Sequence, residues 1–88
     1  MEEINFTDEA LTDLQYWKKS GNTIILKRIR QLLQAISANP FSGIGKPEAL
    51  KHNLSGAWSR RINQEHRIVY KVEKNIITVY SLRFHYTK

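Results

Sequence analysis

The sequence predicts an α+β domain in the order β-α-α-β-β-β, with an antiparallel sheet and a helical hairpin packed on one of its faces. Three observations predict it. Apolar residues recur at helical spacing through two segments of the first half, apolar residues alternate at period two through three segments of the second, and a stretch punctuated by glycine and proline separates the halves. At 88 residues, one domain spanning residues 1–88 is expected, burying roughly 60–65% of the surface that its unfolded chain exposes.

Ile4-Asn5-Phe6 reads as a short strand, after which Thr7 caps a helix whose first turn carries Asp8 and Glu9 at the positive end of the helix dipole. Ala10, Leu11, Leu14 and Trp17 form its apolar face, Lys18 and Lys19 close it, and Gly21 terminates it. A second helix starts at Thr23 with Ile25, Ile29, Leu32, Leu33 and Ile36 in phase, and ends at Asn39-Pro40. The short link makes the two a helical hairpin with a shared apolar seam. Pro40 to Gly56 holds Gly43, Gly45 and Pro47 among polar and basic residues and reads as one long loop, of a length that tends to be functional or disordered. Ala57–Asn63 alternates as a strand with Trp58, Arg60 and Ile62 on one face and Ser59 and Arg61 on the other. Ile68, Tyr70 and Val72 alternate again, and after a Lys74-Asn75 turn the run from Ile76 to Phe84 is rich in Ile, Thr, Val and Tyr.

Composition excludes several classes. There is no cysteine, so neither a disulfide framework nor a thiolate metal site is available, and His52, His66 and His85 lack the spacing of a structural zinc site. No metal and no other cofactor is expected. The acidic start Met1-Glu2-Glu3 does not resemble a secretory signal, and no apolar stretch reaches membrane-spanning length, so a cytoplasmic protein without membrane contact is expected. The net charge of +6 is polarised: residues 1–20 carry five acids and two lysines, whereas residues 21–88 carry twelve basic groups and three acids. Such a pole attracts polyanions and also serves plain solubility.

RNA is cut without a metal when a base takes the 2′-hydroxyl proton, a cation stabilises the pentacoordinate phosphorus, and an acid protonates the leaving 5′-oxygen. Glu48 is the only carboxylate between Asp13 and Glu65, and it stands among basic neighbours. It suits a base, or is a solvated loop residue. Arg61 and Arg67 lie on two strands joined by a tight turn and are placed to clamp one phosphate, or to stand exposed with an Arg61–Glu65 ion pair. His85, near the end of the last strand, titrates at about pH 6.5 when unperturbed and can donate a proton, or is a surface histidine near a frayed terminus. Tyr86 can stack on a base. Trp17, Trp58, Tyr70 and Tyr80 are expected in the core or an interface, Lys51 and His52 at a phosphate or in a plain surface role, and His66 in solvent at the hairpin turn.

Lys46-Pro47-Glu48-Ala49-Leu50-Lys51-His52-Asn53-Leu54-Ser55-Gly56-Ala57-Trp58-Ser59-Arg60-Arg61-Ile62, then Glu65-His66-Arg67-Ile68-Val69-Tyr70, then Phe84-His85-Tyr86 closely resemble the YoeB (Txe) toxins of bacterial type II toxin–antitoxin systems, in the RelE/ParE superfamily. Tyr16-Trp17 and Asn39-Pro40-Phe41-Ser42-Gly43 extend the resemblance over nearly the whole chain. It implies a RelE-like fold and a nuclease that cuts mRNA in the A site of the 70S ribosome, leaving a 2′,3′-cyclic or 3′-phosphate and a 5′-hydroxyl and so inhibiting translation. It further implies Glu48 as general base, Arg67 at the transition-state phosphate, His85 as general acid and Tyr86 completing the catalytic set, with Lys51 and Arg61 supporting substrate binding. A cognate antitoxin of the YefM or Axe kind, a homodimer, and contact with operator DNA only through the antitoxin complex are implied as well.

Two features depart from the pattern: Ala49 stands where close relatives have proline, and Thr87-Lys88 extend the chain past a His-Tyr pair at which they often stop. Fold alone does not choose between this nuclease, a ParE-like non-catalytic toxin acting on DNA gyrase, and a basic RNA-binding module without activity. The set Glu48, Arg67 and His85 distinguishes the first, because neither alternative needs it.

Overall fold

The computed structural model describes residues 3–83. Thr7 opens the helical half: its hydroxyl accepts a hydrogen bond from the Ala10 N–H at 3.1 Å and so caps α1, Asp8–Ser20. The chain leaves α1 through Gly21 in the left-handed conformation, φ 70°, where a side chain would be strained. α2, Thr23–Ala38, starts where expected, capped by the Asn22 side chain accepting from the Ile25 N–H at 3.0 Å.

Five strands form one sheet in the order β1-β5-β4-β3-β2. They are β1 (Glu3–Phe6), β2 (Glu48–Ala49), β3 (Ala57–Arg61), β4 (Arg67–Glu73) and β5 (Ile76–Ser81). The meander β3-β4-β5 is antiparallel as expected, and its second turn is the Lys74-Asn75 pair with φ of 51° and 65°, the hairpin turn whose twist matches the strands. The sheet as a whole is mixed rather than antiparallel, because β1 runs parallel to β5 with Ile4 opposite Ile77. Parallel pairing needs a long crossover, and the helices and meander between β1 and β5 supply it. Nor is the stretch from Pro40 to Gly56 one loop: it contains β2 and a short 3-10 turn at His52–Leu54. Glu48 and Ala49 are too few to leave a periodic trace in sequence.

The helices cover one face of the sheet. Ala10 and Trp17 of α1 and Ile25, Ile29, Leu32 and Ile36 of α2 pack against Ile62, Ile68, Tyr70, Ile77, Val79 and Leu82. Leu11 departs from its expected place and is 46% exposed. The buried polar position on α1 is Asp13, whose Oδ2 accepts from the Leu82 N–H at 2.9 Å, while the Trp17 indole N–H donates to the Leu82 carbonyl at 2.9 Å. Leu82 reaches the core because β5 carries a register shift: Val79 faces Tyr70 but Ser81 faces Val69, leaving Tyr80 as the extra residue and reversing the alternation beyond it. Removing the carboxylate would orphan a buried N–H. Asp13→Ala is therefore expected to cost about 1–3 kcal/mol of folding stability, read as a lower urea midpoint with an unchanged m-value.

Among the described residues Arg60 is the largest fully buried side chain. The alternation of β3 groups it with Trp58 and Ile62 on one face, and the structure turns that face toward the helices and seals Arg60 there completely. Its Nε donates to the Tyr70 hydroxyl at 3.1 Å, and its terminal nitrogens donate to the carbonyls of Ile44, Ser42 and Asn39. The Tyr70 hydroxyl donates in turn to the Pro40 carbonyl. Burial pushes the Tyr70 phenol up from its ordinary value of 10.0, against the opposing pull of the Arg60 cation. One guanidinium thus gathers residues 39–44 into a fixed turn, and at Gly45, φ 84°, the chain passes so close to Leu32 and Arg60 that a Cβ would clash. Among the described residues no helix is long and apolar enough to cross a membrane.

Candidate functional site

The face of the sheet turned away from the helices collects the polar residues. Period-two alternation along β3 puts Ser59 and Arg61 there, and along β4 it puts Arg67 and Val69 there. The ladder sets Arg61 opposite Arg67, Ser59 opposite Val69, and Glu48 of β2 opposite Ser59. Three strands therefore deliver one cluster. Arg67 Nη1 lies 3.3 Å from Glu48 Oε1 and donates to Ser59 Oγ at 3.1 Å. Arg67 is nearly buried whereas the Glu48 side chain is 56% exposed, so the cation is held rigid and the carboxylate faces outward. Chemically the pair sets an exposed carboxylate, able to accept a proton, beside a largely buried guanidinium fork of the kind that can bind a phosphate.

Two local devices hold Glu48 in place. Leu50 is buried with Ala57 and Val69, and Leu54 packs on them, a small apolar cluster that pins residues 48–54 to the open face. The backbone on either side of Glu48 is also held in an uncommon state, with Lys46 at φ 53° and His52 at φ 62°, both left-handed without being glycine. The Leu50 N–H bonds to the Ala57 carbonyl at 2.9 Å. By the alternation of the ladder the Ala49 N–H then points away from β3, so a proline there would lose no ladder bond. Residues 48–54 line a groove of about 410 Å³ beside the Glu48 carboxylate, and Lys51 and His52 stand exposed along it.

The structure brings Glu48, Arg67 and Arg61 to one face, with Lys51 on the adjoining segment. His85 and Tyr86 lie outside the described residues. His66 corrects the expectation of solvent exposure: it is 7% exposed, with its ring edge-on to Trp17 at 4.8 Å between centroids. Because Arg67 takes the open face, the residue before it must turn toward the helices. The turn itself is built on Asn63, whose Oδ1 accepts from the N–H groups of Glu65 and His66. Trp17 and Tyr70 are core residues, Trp58 is partly buried and tilted against Phe41 at 5.0 Å, and Tyr80 is 38% exposed. Ser59 joins the site as a partner of Arg67 that no motif marks, and its place on the Arg61 face of β3 is the one signal the sequence carries for it. Among the described residues no three His, Asp or Glu side chains gather as a metal set.

The solved structures similar to this chain fix its class. A YoeB dimer from Staphylococcus aureus matches with a TM-score of 0.87 at 44% identity, covering 97% of this chain and 98% of that one. A YoeB–YefM complex from the same organism matches with a TM-score of 0.87 at 45% identity, covering 98% and 99%. The fold is that of the small α+β toxins. Among curated proteins, Toxin YoeB of Synechocystis is 49% identical over 83 residues, 90% of this chain and 96% of the relative. The model of the family described as YoeB-like toxin of bacterial type II toxin–antitoxin system matches residues 6–86, and the chain belongs to that family.

Proposed function

We propose that the protein is a ribosome-dependent endoribonuclease that cuts mRNA in the A site by acid–base catalysis. The observation that carries this reading is the Glu48 carboxylate standing 3.3 Å from the Arg67 guanidinium on the face of the sheet that the helices leave open. In the reaction Glu48 takes the proton of the 2′-hydroxyl, whose oxygen attacks the adjacent phosphorus. Arg67 neutralises the charge that grows on the equatorial oxygens, with Arg61 and Lys51 holding neighbouring phosphates. His85 gives its proton to the departing 5′-oxygen, and Tyr86 completes the site. The products are a 2′,3′-cyclic phosphate, opened to a 3′-phosphate by water, and a 5′-hydroxyl.

The family membership supports a cognate antitoxin of the YefM kind and a homodimer, the two assemblies in which the Staphylococcus aureus relatives were solved. Such a toxin acts in the cytoplasm, where ribosomes are. The test is the chemistry of the cut ends. mRNA fragments made in a purified translation system should carry 5′-hydroxyls that a polynucleotide kinase labels without prior phosphatase treatment, and should require ribosomes. Fragments with 5′-phosphates, or equal cutting of free RNA, contradict the proposal.

A further inference from the structure

One face of α1 grips the end of the described chain by three different contacts. Asp13 accepts from the Leu82 N–H and Trp17 donates to the Leu82 carbonyl, so both backbone groups of that residue are held from the helix. The third contact is Arg83, whose guanidinium carbon lies 3.5 Å from the centroid of the Tyr16 ring, well within cation–π range. Asp13, Tyr16 and Trp17 are spaced at i, i+3 and i+4, so they present one surface. The same surface reaches the other half of the site: the Trp17 ring, itself edge-on to Tyr16 at 5.1 Å, also meets His66, the residue before Arg67. His85 follows Arg83 by two residues in sequence.

We infer that Tyr16 is a positioning residue for the cleavage reaction, acting through Arg83, which precedes the proposed acid His85 by two residues in sequence. This rests on the proposed nuclease function. The two backbone bonds at Leu82 fix the peptide planes on either side of it but not the torsions of Arg83, which the guanidinium seated over the Tyr16 ring restricts. Tyr16 is 44% exposed, so the ring face is not needed to fill the core. Its place on α1, on the helix side of the sheet, keeps it off the open face that carries Glu48 and Arg67.

The test is single-turnover cleavage of ribosome-bound mRNA by Tyr16→Leu and Tyr16→Phe, beside wild type and His85→Ala, with urea denaturation of each. Tyr16→Leu removes the aromatic face and is expected to lower the maximal rate about 10- to 100-fold, the usual effect of a misplaced catalytic group. The ribosome concentration at half-maximal rate should stay within about twofold. Tyr16→Phe keeps the ring and should restore the rate. A Tyr16→Leu rate near that of wild type, a loss confined to ribosome affinity, or a Tyr16→Phe as slow as Tyr16→Leu each overturn the inference. If the Tyr16→Leu rate falls only where its denaturation midpoint also collapses, and recovers at lower temperature, the role is structural and the inference fails. The wild-type and His85→Ala arms separate the two levels: no cleavage by wild type sinks the nuclease assignment itself, whereas undiminished cleavage by His85→Ala removes His85 from the reaction and the inference about Tyr16 with it.

Discussion

Glu48→Ala is expected to lower the rate of mRNA cleavage by roughly 10²- to 10⁴-fold, the usual worth of a general base, while the protein stays folded. The two halves of that expectation come from the same geometry. Glu48 meets Arg67 at 3.3 Å but is more than half exposed, and pairs of that kind contribute at most about 1 kcal/mol. Residues 48–54 are held instead by Leu50, Leu54, Ala57 and Val69, none of which the substitution touches. Arg67 keeps its bond to Ser59. A rate measured in a purified translation system, with a urea denaturation curve beside it, separates lost chemistry from lost structure. A rate within a few-fold of wild type would remove Glu48 from the reaction.

Arg60→Met is expected to do the opposite, abolishing the fold before any question of rate arises. The guanidinium is fully buried, and its partners are three backbone carbonyls and the Tyr70 hydroxyl rather than a carboxylate. Methionine fills the volume but leaves those acceptors with no donor, at about 1–3 kcal/mol for each one that water does not reach. The sum is a large part of the roughly 5–15 kcal/mol by which a domain is stable. Arg60→Lys should recover little, since one ammonium cannot fan out to acceptors set around a planar fork. The measurement is the denaturant midpoint of each variant; a midpoint near wild type for Arg60→Met would mean that the turn at 39–44 holds without it. The Tyr70 phenol adds a pH signature. Its value is raised in the folded state, so its contribution is fully present below pH 10.0 and is lost as the pH rises beyond it. Tyr70→Phe should flatten that fall.

The contrast between the two residues explains what was legible in the sequence. Helical spacing through Ile25, Ile29, Leu32 and Ile36 and alternation through Ile68 and Tyr70 report burial directly, so the helices, the meander and the core could be read. Alternation likewise placed Ser59 and Arg61 on the open face, and Glu48 stood out as a lone carboxylate. What could not be read depends on contacts distant along the chain. Arg60 looks like its neighbour Arg61, yet one is sealed under residues 39–44 and the other is exposed, because period two decides the face and the loop packed above decides the burial. Asp13 looks like a solvated helix residue until Leu82, 69 positions later, brings it an N–H. His66 looks like a turn residue until Trp17 covers it. Parallel pairing of β1 with β5 has no local signature at all.

The central claim is that Glu48 and Arg67 on the open face of the sheet act with His85 in one acid–base reaction on ribosome-bound mRNA. The most direct measurement is primer extension on mRNA in a purified translation system, comparing wild type with His85→Ala. Cuts at A-site codons with wild type that vanish with His85→Ala are the predicted result. Undiminished A-site cuts with His85→Ala, or a wild-type protein that halts growth without cutting mRNA at all, would contradict it.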